Sequence, residues 1–139
     1  MELERRAIEL KNAGRLDEAA QVFSTIVEEQ PDWEHGTAFH DLAQCHEDMG
    51  NFVLAERYYK AALQFEPTSD IFLGAYASFL YLHGNPEDAF DAYSRLLRTH
   101  NSEGFTDQDK SYLIALDVLG RRIGWTDAFI AEKIAELIS

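Results

Sequence analysis

Apolar residues recur along most of this chain at the spacing of a helix with one buried face. Between residues 55 and 63 they follow the positions i, i+3, i+4, i+7 and i+8, as Ala55, Tyr58, Tyr59, Ala62 and Leu63. This period fits 3.6 residues per turn and not the alternation of a strand. The same spacing occurs elsewhere at Phe39, Leu42, Ala43 and His46, and at Leu73, Tyr76, Ala77 and Leu80. The pattern therefore predicts an all-α protein.

Three segments of the chain repeat one another around a glycine turn. They read "AGRLDEAAQVF", "MGNFVLAERYY" and "HGNPEDAFDAY", and their glycines Gly14, Gly50 and Gly84 recur at about 35 residues. Three further sets keep the same register: Ala19, Ala55 and Ala89; Phe23, Tyr59 and Tyr93; Ile26, Ala62 and Leu96. Each unit is predicted to be two helices, the first ending at a glycine in the left-handed conformation. Such a pair cannot bury its apolar faces alone, so neighbouring pairs must stack.

Each first helix also has a small residue, at Ala7, Ala43 and Ala77, and prolines close the first two units at Pro31 and Pro67. With these positions, the chain resembles the tetratricopeptide repeat family over about residues 2 to 102. Arg6 and His46 depart from that pattern, since the family usually has Leu and Tyr there, and Asn101 stands at the third proline position. The resemblance implies a helical-hairpin solenoid in one domain, residues 1–139. Its repeats span about residues 1–33, 36–69 and 70–103.

The remaining residues, 105–138, are predicted to form a degenerate helix pair that caps the array. Thr106 and Thr126 are the expected N-caps, and Gly124 ends the first of the two helices. Terminal repeats are expected to be atypical because they cover an otherwise exposed end. In the last helix, Trp125 and Phe129 can both turn inward, and Ile130, Ile134, Leu137 and Ile138 form a second apolar stripe. That stripe raises the hypothesis of a homodimer through the C-terminal helix, against burial of both stripes within one chain.

Charge narrows the classes of partner. The chain has 12 Lys and Arg residues against 25 Asp and Glu residues, a formal net charge of -13, which disfavours nucleic acid and membrane surfaces. The N-terminus lacks the apolar core of a signal peptide, no segment is long enough to span a membrane, and Cys45 is the single cysteine. A cytoplasmic protein is therefore expected. Two local helix pairs are predicted as well, Glu56 with Lys60 and Asp91 with Arg95.

Catalytic or metal chemistry finds little support. The densest candidate is "FHDLAQCHED", in which His40, Gln44 and Glu47 share one helix face while Cys45 and His46 point elsewhere. This spacing matches no cysteine-pair zinc site and no metalloprotease helix, and the interhelical glycines stand singly, unlike a phosphate-binding loop. His40 is expected to line a polar groove and His46 to pack at the repeat interface. We predict a protein without enzymatic activity, cofactor or metal.

The family resemblance implies that a protein or peptide partner binds the concave groove, which is lined by the first helix of each repeat. The groove positions by register are Arg5, Ile8, Lys11, Asn12, Thr37, His40, Asp41, Gln44, Glu47, Asp48, Ile71, Gly74, Ala75, Ser78, Tyr81 and Leu82. The groove changes from mixed to acidic to apolar, which favours an amphipathic, partly cationic ligand. The cationic and amide residues with which some members grip a terminal carboxylate are replaced by Glu4, Ile8, Asp41, Ile71 and Ala75.

The acidic segment between residues 16 and 56 leaves a second hypothesis open. It contains ten carboxylates and no Lys or Arg. A field of one sign speeds association with partners of the opposite sign. The chain is therefore predicted to be an interaction module, an adaptor or scaffold, or alternatively an acidic inhibitor or immunity-type protein that masks a basic partner protein. Simple solubility is the plainest explanation of the same charge.

Overall fold

The computed structural model describes residues 1–99 and 106–138, and these residues form eight α-helices and no strand. The helices are α1 Glu2–Asn12, α2 Leu16–Glu29, α3 Thr37–Asp48, α4 Phe52–Phe65, α5 Asp70–His83, α6 Pro86–Thr99, α7 Asp107–Ile123 and α8 Asp127–Ile138. The all-α prediction is confirmed. Asn101, which stands at the third proline position, and Phe105, the first residue of the predicted cap, lie outside the described residues.

The chain divides into two compact units, Met1–Phe72 and Leu73–Ser139. The first unit is built on the repeated small residues. Ala7 and Ala43 in the first helix of each repeat, and Ala19 and Ala55 in the second, have no exposed surface. A methyl group at these positions lets paired helices approach closely, and the larger core residues, among them Phe23 and Leu42, fill the space between turns.

The second unit keeps the same arrangement of small residues inside. Ala77 of α5 and Ala89 of α6 are fully buried. Helix α7 begins with a capping box, in which the backbone N–H of Asp109 donates to the Thr106 hydroxyl and the Asp109 carboxylate accepts from the backbone of Thr106. It ends at Gly124, whose φ of +99° is left-handed. Both predicted ends of this helix are confirmed.

The interhelical glycines are needed for two different reasons, a positive φ angle or the close approach of neighbouring atoms. Gly14 and Gly50 have φ angles of +77° and +82°, which confirms the left-handed helix ends predicted there. The same prediction is wrong for Gly84, whose φ is not positive. A Cβ atom at Gly84 would lie 3.0 Å from the Cα of Leu80, so close approach of the preceding helical turn requires glycine here.

The segment Trp33–Gly36 joins the first repeat to the second along a left-handed path. Glu34, His35 and Gly36 have φ angles of +42°, +58° and +96°. Two contacts accompany it: the Trp33 indole N–H donates to a Glu4 carboxylate oxygen at 2.9 Å, and Gly36 lies buried against Phe65. The sequence pattern did not predict this conformation.

Long apolar helices are absent from the described part of the chain. None of the helices within residues 1–99 and 106–138 combines the length and apolar character that crossing a membrane requires.

Candidate functional site

The first-unit face is the surface that the predicted groove positions of α1 and α3 provide. Its members are Arg5, Ile8, Lys11, Asn12, Thr37, His40, Asp41, Gln44, Glu47 and Asp48. On α1, Ile8 is 38% exposed and Asn12 is exposed as well. Arg5 is exposed too, but it forms ion pairs along its own helix with Glu2 and Glu9. Exposed ion pairs of this kind add little stability, so Arg5 can exchange its partners readily.

Lys11 bridges the two helices of this face. Its Nζ donates to the Gln44 side-chain oxygen at 2.5 Å and lies 3.8 Å from a carboxylate oxygen of Asp41. Burial raises the pKa of Asp41, and the Lys11 charge opposes that rise while Glu4 and Glu34 add to it. The Asp41 carboxylate is therefore already paired within the unit.

His40 is more buried than a groove residue should be. It is 8% exposed, stacks on the Phe72 ring at 5.1 Å between centroids and meets Tyr59 edge-on at 6.1 Å. Burial, assisted by the Lys11 charge, lowers the pKa of His40 to about 4. Its Nδ1 atom is buried and has no hydrogen-bond partner among the described residues. His40 is thus a neutral, aromatic part of the interior, and the polar-groove expectation for it is corrected.

The remaining carboxylates of α3 differ in their availability. A Glu47 oxygen accepts a hydrogen bond from the Tyr59 hydroxyl at 2.6 Å, whereas Asp48 is exposed. Burial and the neighbouring Glu47 raise the pKa of Tyr59, so its hydroxyl remains a donor at neutral pH. Of the predicted acidic set Asp41, Glu47 and Asp48, two members are engaged inside the unit and the third faces water.

His46 packs against residues of its own repeat, so its predicted place at the repeat interface stays a prediction. Its ring stacks on Tyr58 at 5.6 Å between centroids, and its Nδ1 lies 3.3 Å from the Asn51 amide nitrogen. Burial lowers the pKa of His46, which keeps the ring uncharged in this contact.

Helix α5 presents an exposed apolar stripe where the register predicted groove positions. Ile71 is 73% exposed and Leu82 is 63% exposed, with Ser78 exposed between them. Gly74 and Ala75 are partly exposed on the same side of the helix. The α5 stripe, Ile71, Gly74, Ala75, Ser78 and Leu82, is therefore accessible to a partner.

Tyr81, at the end of α5, belongs to a contact that the sequence did not predict. The Arg122 guanidinium lies 4.4 Å from the centre of the Tyr81 ring, and its Nη1 donates to the Tyr81 carbonyl oxygen at 2.9 Å. Ile114 of α7 is 67% exposed and was also missed. The repeat register carries a signal for Arg122 beyond residue 103, because counting back from Gly124 as from Gly84 places Arg122 in register with Leu82.

Metal-binding groups do not converge in the part of the chain described. Within residues 1–99 and 106–138, no three His, Cys, Asp or Glu side chains lie where they could hold a metal ion together. Burial raises the pKa of the Cys45 thiol to about 11, so this fully buried sulfur stays protonated at neutral pH.

Comparison with known proteins adds one family and one group of structures. The profile of the family "Tetratricopeptide repeat" matches residues 5–70 and 40–103. No curated protein sequence matches the chain. Among solved structures, the type III secretion chaperone SycD of Yersinia enterocolitica, in complex with a peptide of the translocator YopD, aligns with a TM-score of 0.74 at 18% identity. That alignment covers 87% of this chain and 92% of the chaperone chain. A second structure, of the Yersinia enterocolitica type III secretion translocator chaperone SycD, aligns with a TM-score of 0.73 at 18% identity. This alignment covers 87% of this chain and 83% of the chaperone chain.

Proposed function

Because this chain belongs to the tetratricopeptide repeat family, we propose that it is a non-enzymatic cytoplasmic module that binds a protein segment in the family's concave groove. The segment would be amphipathic and partly cationic. The observation that carries this proposal is the α5 stripe, where Ile71 and Leu82 are largely exposed on a protein of net charge -13. Covering apolar side chains that are exposed at predicted groove positions lowers the free energy, so these side chains favour binding of a partner.

A peptide is the ligand class best supported. The Yersinia chaperone with a similar fold was solved with a translocator peptide. At 18% identity this likeness concerns the fold, so the ligand chemistry must come from the side chains of this chain. The α5 stripe offers apolar and small residues, to which an apolar face of a peptide can pack.

The cationic part of the ligand is argued from the first-unit face. Asp48 faces water, and Asp41 is held among the described residues by Lys11, whose ammonium lies 3.8 Å away. An arginine or lysine of the ligand would compete with Lys11 for Asp41 and would reach Asp48 directly. Such contacts govern the rate of association more than the final affinity.

The apolar part of the proposal is tested by capture from native cell extract with matched charge variants. Leu82→Glu introduces a carboxylate on the α5 stripe, whereas Val53→Glu introduces the same group at an 80% exposed position of α4 outside the predicted groove. A partner in the groove should be captured by the parent and by Val53→Glu, and its recovery with Leu82→Glu should fall about tenfold or more. Equal recovery with both variants would refute groove binding.

Salt dependence tests the electrostatic part with the partner so obtained. Asp48→Asn should slow association by about threefold, and added salt should slow the parent similarly, because exposed charges are screened. Asp32→Asn removes an exposed carboxylate outside the groove positions and serves as the control. If neither the variant nor salt changed the association rate, the acidic surface would serve solubility alone and not partner binding. Loss of nearly all affinity in salt, with a basic partner, would favour the acidic inhibitor hypothesis.

The homodimer through the C-terminal helix stays a prediction. Within α8, Ile130 and Leu137 are buried at 2% and 7% exposure, while Phe129 and Ile138 remain 38% and 39% exposed. If those exposed side chains hold a second copy, light scattering should give about twice 15.8 kDa at high concentration. Ile134→Glu should then restore the monomer without loss of helical circular dichroism. A mass near 15.8 kDa at every concentration would end the hypothesis.

A further inference from the structure

A groove between α6 and α8 lies within the second unit and includes none of the predicted groove positions. Its volume is about 390 Å³, within the range of sites that hold a small molecule or a few side chains. From α6 it is lined by Glu87, Phe90, Asp91, Ser94 and Arg98. From α8 and the segment just before it, the lining residues are Trp125, Phe129, Lys133, Glu136 and Leu137. We name it the aromatic groove.

Three rings form the apolar wall of the aromatic groove. Phe90 and Trp125 meet at 5.0 Å between centroids with an interplanar angle of 77°, and Trp125 and Phe129 meet at 4.9 Å with an angle of 71°. Successive rings are therefore nearly perpendicular to each other. The face of an aromatic ring is electron-rich and attracts a cation within about 6 Å of its centre.

Two carboxylates stand beside this wall. Glu87 and Asp91 flank Phe90 along α6 and are exposed. In the described part of the chain, neither carboxylate takes part in an ion pair or accepts a hydrogen bond, and the predicted pair of Asp91 with Arg95 is not formed. The carboxylates are thus available to an incoming cation.

The groove already holds one cation of its own against a ring. The Lys133 ammonium lies 5.4 Å from the centre of Phe129 and 3.9 Å from a Glu136 carboxylate oxygen. Arg98 lies further along α6, about two turns beyond Asp91 and about three turns beyond Glu87. Arg98 is therefore on a later turn of α6 than the carboxylates that flank Phe90.

We propose that the aromatic groove binds an arginine side chain of a protein partner, with the guanidinium between the rings and the carboxylates of Glu87 and Asp91. A planar guanidinium can stack on a ring while donating two hydrogen bonds to a carboxylate. An anionic group would be repelled by Glu87 and Asp91. A purely apolar side chain would desolvate these carboxylates without pairing them, which costs free energy.

The test uses a probe peptide and the fluorescence of one tryptophan. The chain has two tryptophans, so Trp33→Phe leaves Trp125 as the sole indole. Titration with the peptide Ac-Leu-Arg-Leu-NH2 should change Trp125 emission in a saturable manner. The same peptide with citrulline, a neutral arginine isostere, should bind about tenfold more weakly or worse, because it lacks the charge that rings and carboxylates recognise. Calorimetry on the parent protein gives the same comparison if Trp33→Phe does not fold.

Three variants separate this site from nonspecific attraction. The double change Glu87→Gln and Asp91→Asn should weaken the arginine peptide about tenfold, and Lys133→Gln should tighten it by removing a competing cation. Glu132→Gln removes an exposed carboxylate of α8 that does not line the groove, and it should leave binding unchanged.

Several outcomes would overturn the proposal. These are a titration without saturation, equal binding of the arginine and citrulline peptides, or equal weakening by Glu132→Gln. A second copy of the chain is the competing occupant. It would appear as Trp125 emission that depends on protein concentration, with a dimer mass and no response to the peptide.

Discussion

Replacing Gly36 with alanine is expected to lower the free energy of unfolding by about 3 kcal/mol. Gly36 has a φ of +96°, where a Cβ atom costs about 1 to 2 kcal/mol. The added Cβ would also stand 3.1 Å from the Cβ of Phe65 and 3.3 Å from the Ala62 carbonyl oxygen. Because Phe65 stacks on Phe39 at 5.8 Å between centroids, its displacement disturbs a second contact, at a cost typical of overpacking.

The control for this change is Gly14→Ala. Gly14 also has a positive φ, +77°, but a Cβ there would meet nothing within 4 Å. Its cost should therefore be the conformational part alone, about 1 kcal/mol. Urea unfolding followed by circular dichroism measures both variants. Equal losses would show that contact with Phe65 contributes nothing and that only the backbone conformation matters.

The helix pairs were predictable because the same local requirement recurs in each repeat. A small residue at Ala7, Ala43 and Ala77 is needed wherever two helices cross closely, and its recurrence reveals the period without any knowledge of distant contacts. Left-handed helix ends follow similarly at Gly14 and Gly50. The single-domain organisation that the sequence predicted stays a prediction, since each of the two compact units is defined by its own internal contacts.

Two backbone conformations could not be predicted from the repeat pattern. Gly84 and Gly50 align in the repeat register, yet the first is needed for its approach to Leu80 and the second for its φ. The left-handed path through Glu34 and His35 has no periodic signature at all. In neither place does the repeat pattern determine the backbone conformation.

The repeat register predicted the groove positions of α5 better than those of α3. On α5 the register correctly indicated which side is exposed, as Ile71 and Leu82 show, because exposure there follows from helical geometry alone. On α3 the register could not reveal that Lys11 of another helix pairs with Asp41, or that Phe72 covers His40. Whether either surface binds a partner stays a proposal.

The buried histidine leads to a prediction about acidity. Lowering the pH from 7 to 5 is expected to cost about 2 kcal/mol of stability through His40. In the folded protein its pKa is about 4, whereas an unfolded histidine has a pKa of 6.5. Above pH 6.5 both states are mostly neutral and this contribution is complete. As the pH falls, the unfolded state binds a proton that the folded state refuses, so stability is lost between pH 6.5 and about 4.

His40→Phe isolates this contribution, because phenylalanine can keep the stacking on Phe72 but cannot bind a proton. Urea unfolding at pH 7 and pH 5 should show a smaller loss in the variant than in the parent, by about 2 kcal/mol. His46, whose pKa burial also lowers, adds to the loss in both proteins and therefore cancels in the comparison. Asp41, with a raised pKa, acts in the opposite sense, since its folded carboxylate takes up a proton before the unfolded one. An equal loss in variant and parent would mean that His40 accepts its proton in the folded state, and hence that water or a neighbouring acceptor reaches it at pH 5.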